Sequence, residues 1–188
     1  MEENKLTKKE LNNRRSIIVL SITLLICISA PIIVKAEPLP FVLQNMIVIL
    51  AAVVFGGMQT AGSVGLFLAA GLFGLPVFAG GARGVAHLST IRGSFLLGYF
   101  VASLVIGFMM KTPTVEEKTP IEKIVSSCVA GYVIIYILPL LKMFDSGLVL
   151  FAETVPKLLP YFIADFIKCI ITIPLAVILR PIIAKKLN

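Results

Sequence analysis

The sequence of 188 residues contains few charged side chains. Only 14% of the residues are Asp, Glu, Lys or Arg, whereas 58% are apolar, and the mean hydropathy is +1.01. Because a typical soluble domain has about 25% charged residues, this composition excludes a soluble globular protein and indicates an integral membrane protein. At about 20 residues per membrane-spanning helix, the chain has room for about six helices in one domain, without a separate catalytic module.

Residues that usually carry catalytic or metal chemistry are also scarce. His87 is the single histidine, which excludes a multi-histidine metal site, and we expect it to be a loop side chain exposed to water. Cys27, Cys128 and Cys169 stand singly in apolar runs, without the paired spacing of a metal or redox site. The chain has neither a phosphate-binding loop of the Gly-x-x-x-x-Gly-Lys-Ser/Thr type nor a serine in a strand-turn-helix elbow. We therefore predict neither an enzyme nor a bound cofactor.

Six apolar stretches predict six membrane-spanning helices, at residues 16–34, 45–55, 60–73, 92–110, 121–144 and 160–184. The second and third are short for a bilayer, so we expect them to tilt less, to extend into the loops, or to lie partly shielded by other helices. Small residues such as Gly62, Gly65 and Gly71 should let the third helix pack closely on its neighbours. The first stretch also resembles a secretory signal peptide, because an apolar run after a basic start ends at Val34-Lys35-Ala36.

The basic residues predict the orientation in the membrane. The proposed inner segments hold eleven: five within residues 1–15, three within 111–123, and Arg180, Lys185 and Lys186. The proposed outer segments hold five, namely Lys35, Arg83, Arg92, Lys142 and Lys157. This bias predicts two cytoplasmic termini, with a cytoplasmic segment at 1–15 and a transmembrane domain at 16–188. Because the basic residues form no stripe with interleaved aromatics, we predict no nucleic-acid partner.

The run Gly74-Leu-Pro-Val-Phe-Ala-Gly-Gly-Ala-Arg-Gly84 interrupts the apolar chain. We call it the Gly/Pro loop. Its proline disfavours helix, and its glycines, including Gly80, allow positive φ angles and close backbone approach to another group. Composition alone also fits a plain interhelical connection. The predicted orientation places the loop outside, beside the loops at 35–44 and 145–159, which suggests an external binding pocket.

Asp165 and Lys168 are charged residues inside the last apolar stretch. Three residues apart on a helix, they point to nearly the same face. Such charges are costly in lipid and normally face a bundle interior or a cavity. Two interpretations remain open: a structural ion pair, or the border of a polar ligand site.

Three sequence motifs together resemble the BioY family, the biotin-binding S components of energy-coupling factor (ECF) transporters. They are Leu39-Pro-Phe-Val-Leu-Gln44, Gly74-Leu-Pro-Val-Phe-Ala-Gly-Gly81 and Asp165-x-x-Lys168. The chain departs from the family in two runs. Gly80-Gly-Ala-Arg-Gly84 stands where the family usually has Gly-Gly-x-Gly-Gly, and Thr90-Ile-Arg-Gly-Ser-Phe95 replaces Gly-Pro-Thr-Gly-Gly-Tyr. The first span also lacks the Ala-x-x-x-Ala face of S components.

The resemblance implies an all-α, six-helix transmembrane bundle whose long extracellular loops form a lid over a biotin site. It also implies a cell-membrane complex with a transmembrane coupling protein and two ATPases. The implied ligand-binding residues are Gln44, Phe78, Gly80, Arg92, Asp165 and Lys168. Among these, Asp165 would accept ureido N–H groups or hold Lys168, either Lys168 or Arg92 would meet the biotin carboxylate, and Phe78 would cover the bicycle. An S component for another vitamin and a structural membrane subunit remain alternatives.

Overall fold

The computed structural model describes residues 8–30, 32–34 and 41–187 and is almost entirely helical. Its helices are α1 (Lys8–Ser29), α2 (Gln44–Phe55), α3 (Gly57–Leu72), α4 (Val85–Leu88), α5 (Ile91–Met109), α6 (Ile121–Asp145), α7 (Leu148–Thr154) and α8 (Leu159–Leu187). Two short strands, β1 (Ile33–Val34) and β2 (Phe41–Val42), pair antiparallel, with Ile33 opposite Val42.

Four helical segments in the described part of the chain are long and apolar enough to cross a membrane: Lys9–Ser29, Ile91–Met109, Ile121–Asp145 and Leu148–Leu187. The helix Gln44–Phe55 is apolar but shorter. These segments confirm the prediction of an all-α, multi-pass membrane protein. The finer prediction of six spans depends on α2 and α3, which are 12 and 16 residues long.

The short helix α2 lies at the centre of the bundle. Eight of its twelve residues are buried, and it contacts α1, α3, α5, α6 and α8. Its side chains Val48, Ile49 and Val53 are fully enclosed in the main apolar core. The prediction that other helices shield this segment is therefore confirmed, and it explains how so short a helix sits among membrane-spanning ones.

Glycines set the close packing of α3, but Gly71 is the only one of the three named glycines that does so, and the contact with a neighbouring helix is made by Gly57. A Cβ atom added to Gly57 would lie 2.1 Å from the backbone nitrogen of Gly107 on α5, so these two helices touch backbone to backbone. Gly62 and Gly65, by contrast, have only ordinary side-chain neighbours, at 4.0 and 3.6 Å. Gly56, at φ 103°, forms the single-residue turn from α2 into α3.

The first helix differs from its prediction at both ends. α1 already begins at Lys8, so it runs without a break across the predicted boundary at 15/16. It ends at Ser29 rather than at residue 34, and Ile33–Val34 is extended. A proline after residue 30 explains the early end, because it removes a backbone donor and disfavours helix in the residue before it. Residues 1–7 and most of the loop predicted at 35–44 lie outside the described residues.

The other boundaries agree with the predictions to within about three residues, apart from two additions. The segment after the Gly/Pro loop forms the short helix α4, and Leu148–Thr154 forms α7. Leu148, Val149 and Leu150 of α7 are exposed. Pro139 in α6, and Pro174 and Pro181 in α8, lie inside continuous helices.

A buried arginine fastens the end of the bundle opposite to the Gly/Pro loop. Arg180 donates hydrogen bonds to the backbone oxygens of Val53 and Lys111, and to Thr119 Oγ1. It is only 6% exposed, and it contacts no carboxylate among the residues that the structure describes. The guanidinium therefore ties α8 to the end of α2 and to both sides of the segment between α5 and α6.

Removing this guanidinium should release the segment between α5 and α6. In Arg180→Met, two backbone carbonyls and a hydroxyl lose their donor, at a cost of about 1 to 3 kcal/mol for each polar group that stays buried. We expect trypsin to cleave the purified protein at Lys111 and Lys118 several times faster than in the wild type. The exposed basic residue Lys185, changed to methionine, serves as the control. Equal cleavage rates in the two variants would contradict this role of Arg180.

Candidate functional site

Asp165 and Lys168 form an ion pair inside the bundle. Both lie near the start of α8, and one helical turn brings Lys168 Nζ to 2.7 Å from Asp165 Oδ1. Their side chains are only 14% and 10% exposed, for Lys168 and Asp165 respectively. The prediction that the two residues share one face and point inward is confirmed.

Two residues from other helices donate further hydrogen bonds to the Asp165 carboxylate. Asn45 on α2 donates from Nδ2 to Oδ1 at 2.7 Å, and Tyr136 on α6 donates its hydroxyl to Oδ2 at 2.6 Å. Hydrogen bonds to a charged acceptor are short and stronger than neutral ones. We call Asn45, Tyr136, Asp165 and Lys168 the polar network, and it joins α2, α6 and α8.

All three N–H donors of the Lys168 ammonium group are used within the protein. Besides Asp165 Oδ1, it donates to the backbone oxygen of Val42 at 2.8 Å and to Asn45 Oδ1 at 3.2 Å. An ammonium group offers three N–H donors, so these contacts use all of them. A ligand carboxylate could bind Lys168 only by displacing one of these partners.

Sequence reasoning missed Asn45 and Tyr136. Asn45 stood out only as a polar residue beside Gln44 at the start of an apolar helix, and Tyr136 as a hydroxyl within an apolar span. Nothing in the sequence pairs either with Asp165, because the partners are 120 and 29 residues away along the chain. A search for polar residues inside apolar spans would have found both as candidates without assigning their partner.

Gln44 lies beside the polar network in sequence but turns towards another helix. It is 1% exposed, and its Nε2 donates to the backbone oxygen of Ile26 on α1 at 3.2 Å. Its Oε1 is buried and accepts no hydrogen bond from any described residue. An unpaired buried acceptor is costly, so this oxygen is available to a donor from a ligand.

The Gly/Pro loop is a folded turn fastened to the end of α3. Phe78 N donates to Ala82 O at 3.1 Å, and Gly84 N donates to Gly71 O at 2.8 Å. Gly80, at φ 73°, lies at the exposed tip of this turn, where only glycine fits without strain. The predicted use of glycine for positive φ angles is therefore confirmed, and the backbone of Gly80 is exposed at the surface of the protein.

Phe78 is enclosed rather than exposed. Its ring has no accessible surface and packs edge-on against Phe67, with ring centres 5.4 Å apart. A Cβ atom on Gly71 would lie 2.1 Å from the tip of the ring, so the glycine provides the slot that the ring fills. In this arrangement the aromatic ring anchors the Gly/Pro loop to α3.

His87 is less exposed than the sequence analysis predicted. We expected a side chain exposed to water, but the ring is half-buried and stacks on Phe78 at 5.5 Å with an interplanar angle of 23°. Burial, and secondarily the charge of Arg92, lower the pKa of His87 from its usual 6.5. Arg92 itself is exposed in the first turn of α5 and forms no hydrogen bond or ion pair with any described residue.

The lowered pKa predicts the direction of a pH effect. Since the folded protein binds the proton more weakly than the unfolded chain, the stabilising contribution of neutral His87 is present above pH 6.5. It is lost as the pH falls through the lower folded pKa. We expect the melting temperature of the wild type to fall more between pH 7.5 and pH 5 than that of His87→Phe. Identical pH profiles for the two proteins would contradict a buried, neutral His87.

The predicted site residues thus form two groups at the same end of the bundle. Asp165 and Lys168 belong to the polar network, with Gln44 next to Asn45 in the chain. Phe78 and Gly80 belong to the Gly/Pro loop, and Arg92 lies close to His87, which packs on that loop.

A comparison with protein-family models matches residues 3–185 to the BioY family. The chain belongs to the BioY family. This membership confirms the resemblance that the three sequence motifs indicated, and it confirms the prediction that the chain is not an enzyme.

Individual BioY relatives resemble parts of the chain. The biotin transporter BioY of Thermotoga maritima is 35% identical over 116 residues, which are 62% of this chain and 66% of that protein. The biotin transporter BioY of Lactococcus lactis is 38% identical over 74 residues, or 39% of each chain. The matched regions therefore span less than two thirds of these relatives.

The fold agrees with a crystal structure described as the S-component for biotin from an ECF-type ABC transporter. The two structures align with a TM-score of 0.74 over 94% of this chain and 95% of that one, at 24% sequence identity. At this level of identity, the agreement establishes the S-component fold.

Proposed function

We propose that this protein captures biotin at the outer face of the cell membrane, as the substrate-binding subunit of an ECF-type transporter. The polar network carries the proposal, because it holds a carboxylate inside an apolar bundle at the end where the Gly/Pro loop lies. Buried ionisable groups of this kind normally serve a ligand or a transport path. The names of the BioY relatives and the S-component fold support biotin as the ligand.

The free hydrogen-bonding capacity near Asp165 suits the ureido ring of biotin. A carboxylate oxygen can accept two hydrogen bonds, and Oδ2 accepts one, from Tyr136, among the described residues. Gln44 Oε1, on a side chain that turns towards α1, is a second unpaired buried acceptor. We therefore assign ureido N–H recognition to Asp165 Oδ2, with Gln44 as a further candidate.

The opposite end of biotin carries a carboxylate, for which the chain offers two cations. Lys168 uses all its donors within the polar network, whereas Arg92 is exposed beside the Gly/Pro loop. We therefore assign the carboxylate to Arg92 and give Lys168 the role of orienting Asp165. Gly80 would contribute backbone contacts at the mouth of the site, and the Gly/Pro loop would serve as part of the lid.

Equilibrium binding of labelled biotin to the purified protein tests this function. Tight binding of one biotin per chain is expected. Absence of biotin binding, together with tight binding of another vitamin, would support an S component of different specificity. If no vitamin binds, the complete use of Lys168 donors within the chain would favour the alternative of a structural membrane subunit.

Uptake should depend on partner proteins, because the sequence contains no nucleotide-binding motif. We propose a transmembrane coupling protein and two ATPases as these partners, within the lipid bilayer. Concentrative, ATP-independent biotin uptake by this chain in a host without ECF proteins would contradict the proposal. Binding without such uptake is the expected result.

We further propose six spans with both termini in the cytoplasm. Arg14 donates a hydrogen bond to the backbone oxygen of Lys186, which supports placing both termini on the same side. The bias of basic residues supports the cytoplasm as that side. In intact cells, a cysteine introduced at Ala82 should react with an impermeant maleimide, whereas one at Glu117 should react only after permeabilisation. Labelling of Glu117→Cys from outside would contradict this orientation.

A further inference from the structure

An aromatic cluster lies beside the carboxylate of the polar network. Tyr136 on α6, whose hydroxyl binds Asp165, contacts Phe162 on α8 with ring centres 4.5 Å apart and an interplanar angle of 42°. It also contacts Phe95 on α5 edge-on, with ring centres 5.5 Å apart and an interplanar angle of 84°. Three different helices thus contribute Phe95, Tyr136 and Phe162 to one cluster.

The exposure of these rings differs from that of Phe78. Tyr136 is 7% exposed and fixed by its hydrogen bond, whereas Phe95 and Phe162 are half-buried. Phe78 is completely enclosed by its neighbours on α3 and by His87. Ligand pockets are typically lined by aromatic side chains around a few polar groups, and Phe95 and Phe162 contact the tyrosine that binds Asp165.

The chemistry of biotin connects this surface to Asp165. Its ureido ring is fused to a thioether ring, so a ureido N–H bound at Oδ2 brings the thioether ring within a few ångströms of the carboxylate. Tyr136, whose hydroxyl binds Oδ2, carries the ring that connects this position to the rings of Phe95 and Phe162. Sulfur and apolar CH groups make favourable contacts with aromatic rings.

On the basis of the proposed function, we propose that Phe95 and Phe162, held in place by Tyr136, form the wall against which the thioether ring of biotin packs. Phe78 then has a structural role, in which its ring fills the slot at Gly71 and fastens the Gly/Pro loop. This assignment replaces Phe78 as the cover of the bicycle. It adds Phe162 and also Phe95, which ends the run Thr90–Phe95 where the chain departs from the family.

Binding of biotin and desthiobiotin to the full-length protein tests the assignment. Desthiobiotin keeps the ureido ring and the carboxylate but lacks the thioether ring. Phe162→Leu and Phe95→Leu should each weaken biotin binding about 3-fold to 10-fold, the value of one aromatic contact. Desthiobiotin binding should change less, so the preference for biotin over desthiobiotin should shrink.

The controls separate this assignment from the proposed function. Phe166→Leu, on the exposed side of α8 (68% exposed), should leave both dissociation constants unchanged, and Phe78→Leu should lower the melting temperature while the preference is kept. The preference does not depend on the fraction of active protein, because both ligands are measured on one preparation. If Phe95→Leu and Phe162→Leu keep the wild-type preference, or if Phe78→Leu loses it, the assignment is overturned. A wild-type protein that binds no biotin would overturn the proposed function as well.

Discussion

Replacing Asp165 by leucine is expected to weaken biotin binding at least tenfold and to destabilise the protein by about 3 to 5 kcal/mol, the cost of breaking a buried ion pair. The variant leaves the ammonium of Lys168 without its counter-charge, and it leaves the Tyr136 hydroxyl and the Asn45 amide without their acceptor. Thermal unfolding and equilibrium biotin binding measure the two effects separately.

The double variant Asp165→Leu, Lys168→Leu separates scaffold from function. It removes both charges together, which is often neutral for an isolated buried pair. Here we expect only partial recovery of stability, because Asn45, Tyr136 and the Val42 carbonyl still lose a partner. Biotin binding should stay at least tenfold weaker, since the acceptor for the ureido group is gone.

Lys142 and Asp145 provide a matched control pair. They have the same three-residue spacing on α6, but their side chains are 43% and 80% exposed and their charged atoms are 3.8 Å apart. Exposed pairs contribute about 0 to 1 kcal/mol, so changing both residues to leucine should alter neither stability nor affinity appreciably. A folded Asp165/Lys168 double variant that keeps wild-type affinity would show that the buried pair is scaffold only.

The second large effect is expected at Gly57. An alanine there would place its methyl group 2.1 Å from the backbone nitrogen of Gly107 and 2.4 Å from the backbone oxygen of Ser103. Because both contacts are backbone atoms, α3 and α5 must move apart, at a cost of about 1 to 3 kcal/mol or more. For a protein of this size, the melting temperature should fall by roughly 5 to 10 °C.

Gly62→Ala is the control for this prediction, since it is the same substitution on the same helix. The added methyl group would have one neighbour, a Val19 methyl at 4.0 Å. Alanine favours helix over glycine by up to about 1 kcal/mol, so this variant should be as stable as the wild type or slightly more stable. Equal melting temperatures for the two variants would contradict the close crossing of α3 and α5.

Some features followed directly from local sequence. Hydropathy located the helices of the bundle, because a backbone in lipid must satisfy its hydrogen bonds internally. The three-residue spacing of Asp165 and Lys168 determined that they share a face, since helical periodicity fixes that geometry whatever the neighbours are. The proline after residue 30 likewise carried the signal for the end of α1, although the apolar run continued to residue 34.

Glycine content predicted which helix packs closely but not which of its glycines makes the contact. The sequence marked α3 as rich in small residues, but the backbone contact with α5 occurs at Gly57, and Gly62 and Gly65 have ordinary neighbours. Which glycine lies at a crossing depends on the angle and register of two helices, and neither is encoded within one of them. The same reason explains why Gly71 holds the ring of Phe78, a residue from the following loop.

The sequence by itself therefore determined the fold class, the family and the helix face that Asp165 and Lys168 share. The tertiary structure decided which residues meet these side chains. Asn45 and Tyr136 bind Asp165, and Val53 binds Arg180. Phe78 is enclosed between Phe67 and His87. The physical reason is separation along the chain. Asn45 is 120 residues from Asp165, and Val53 is 127 residues from Arg180, so these contacts exist only once α2 has packed against α8.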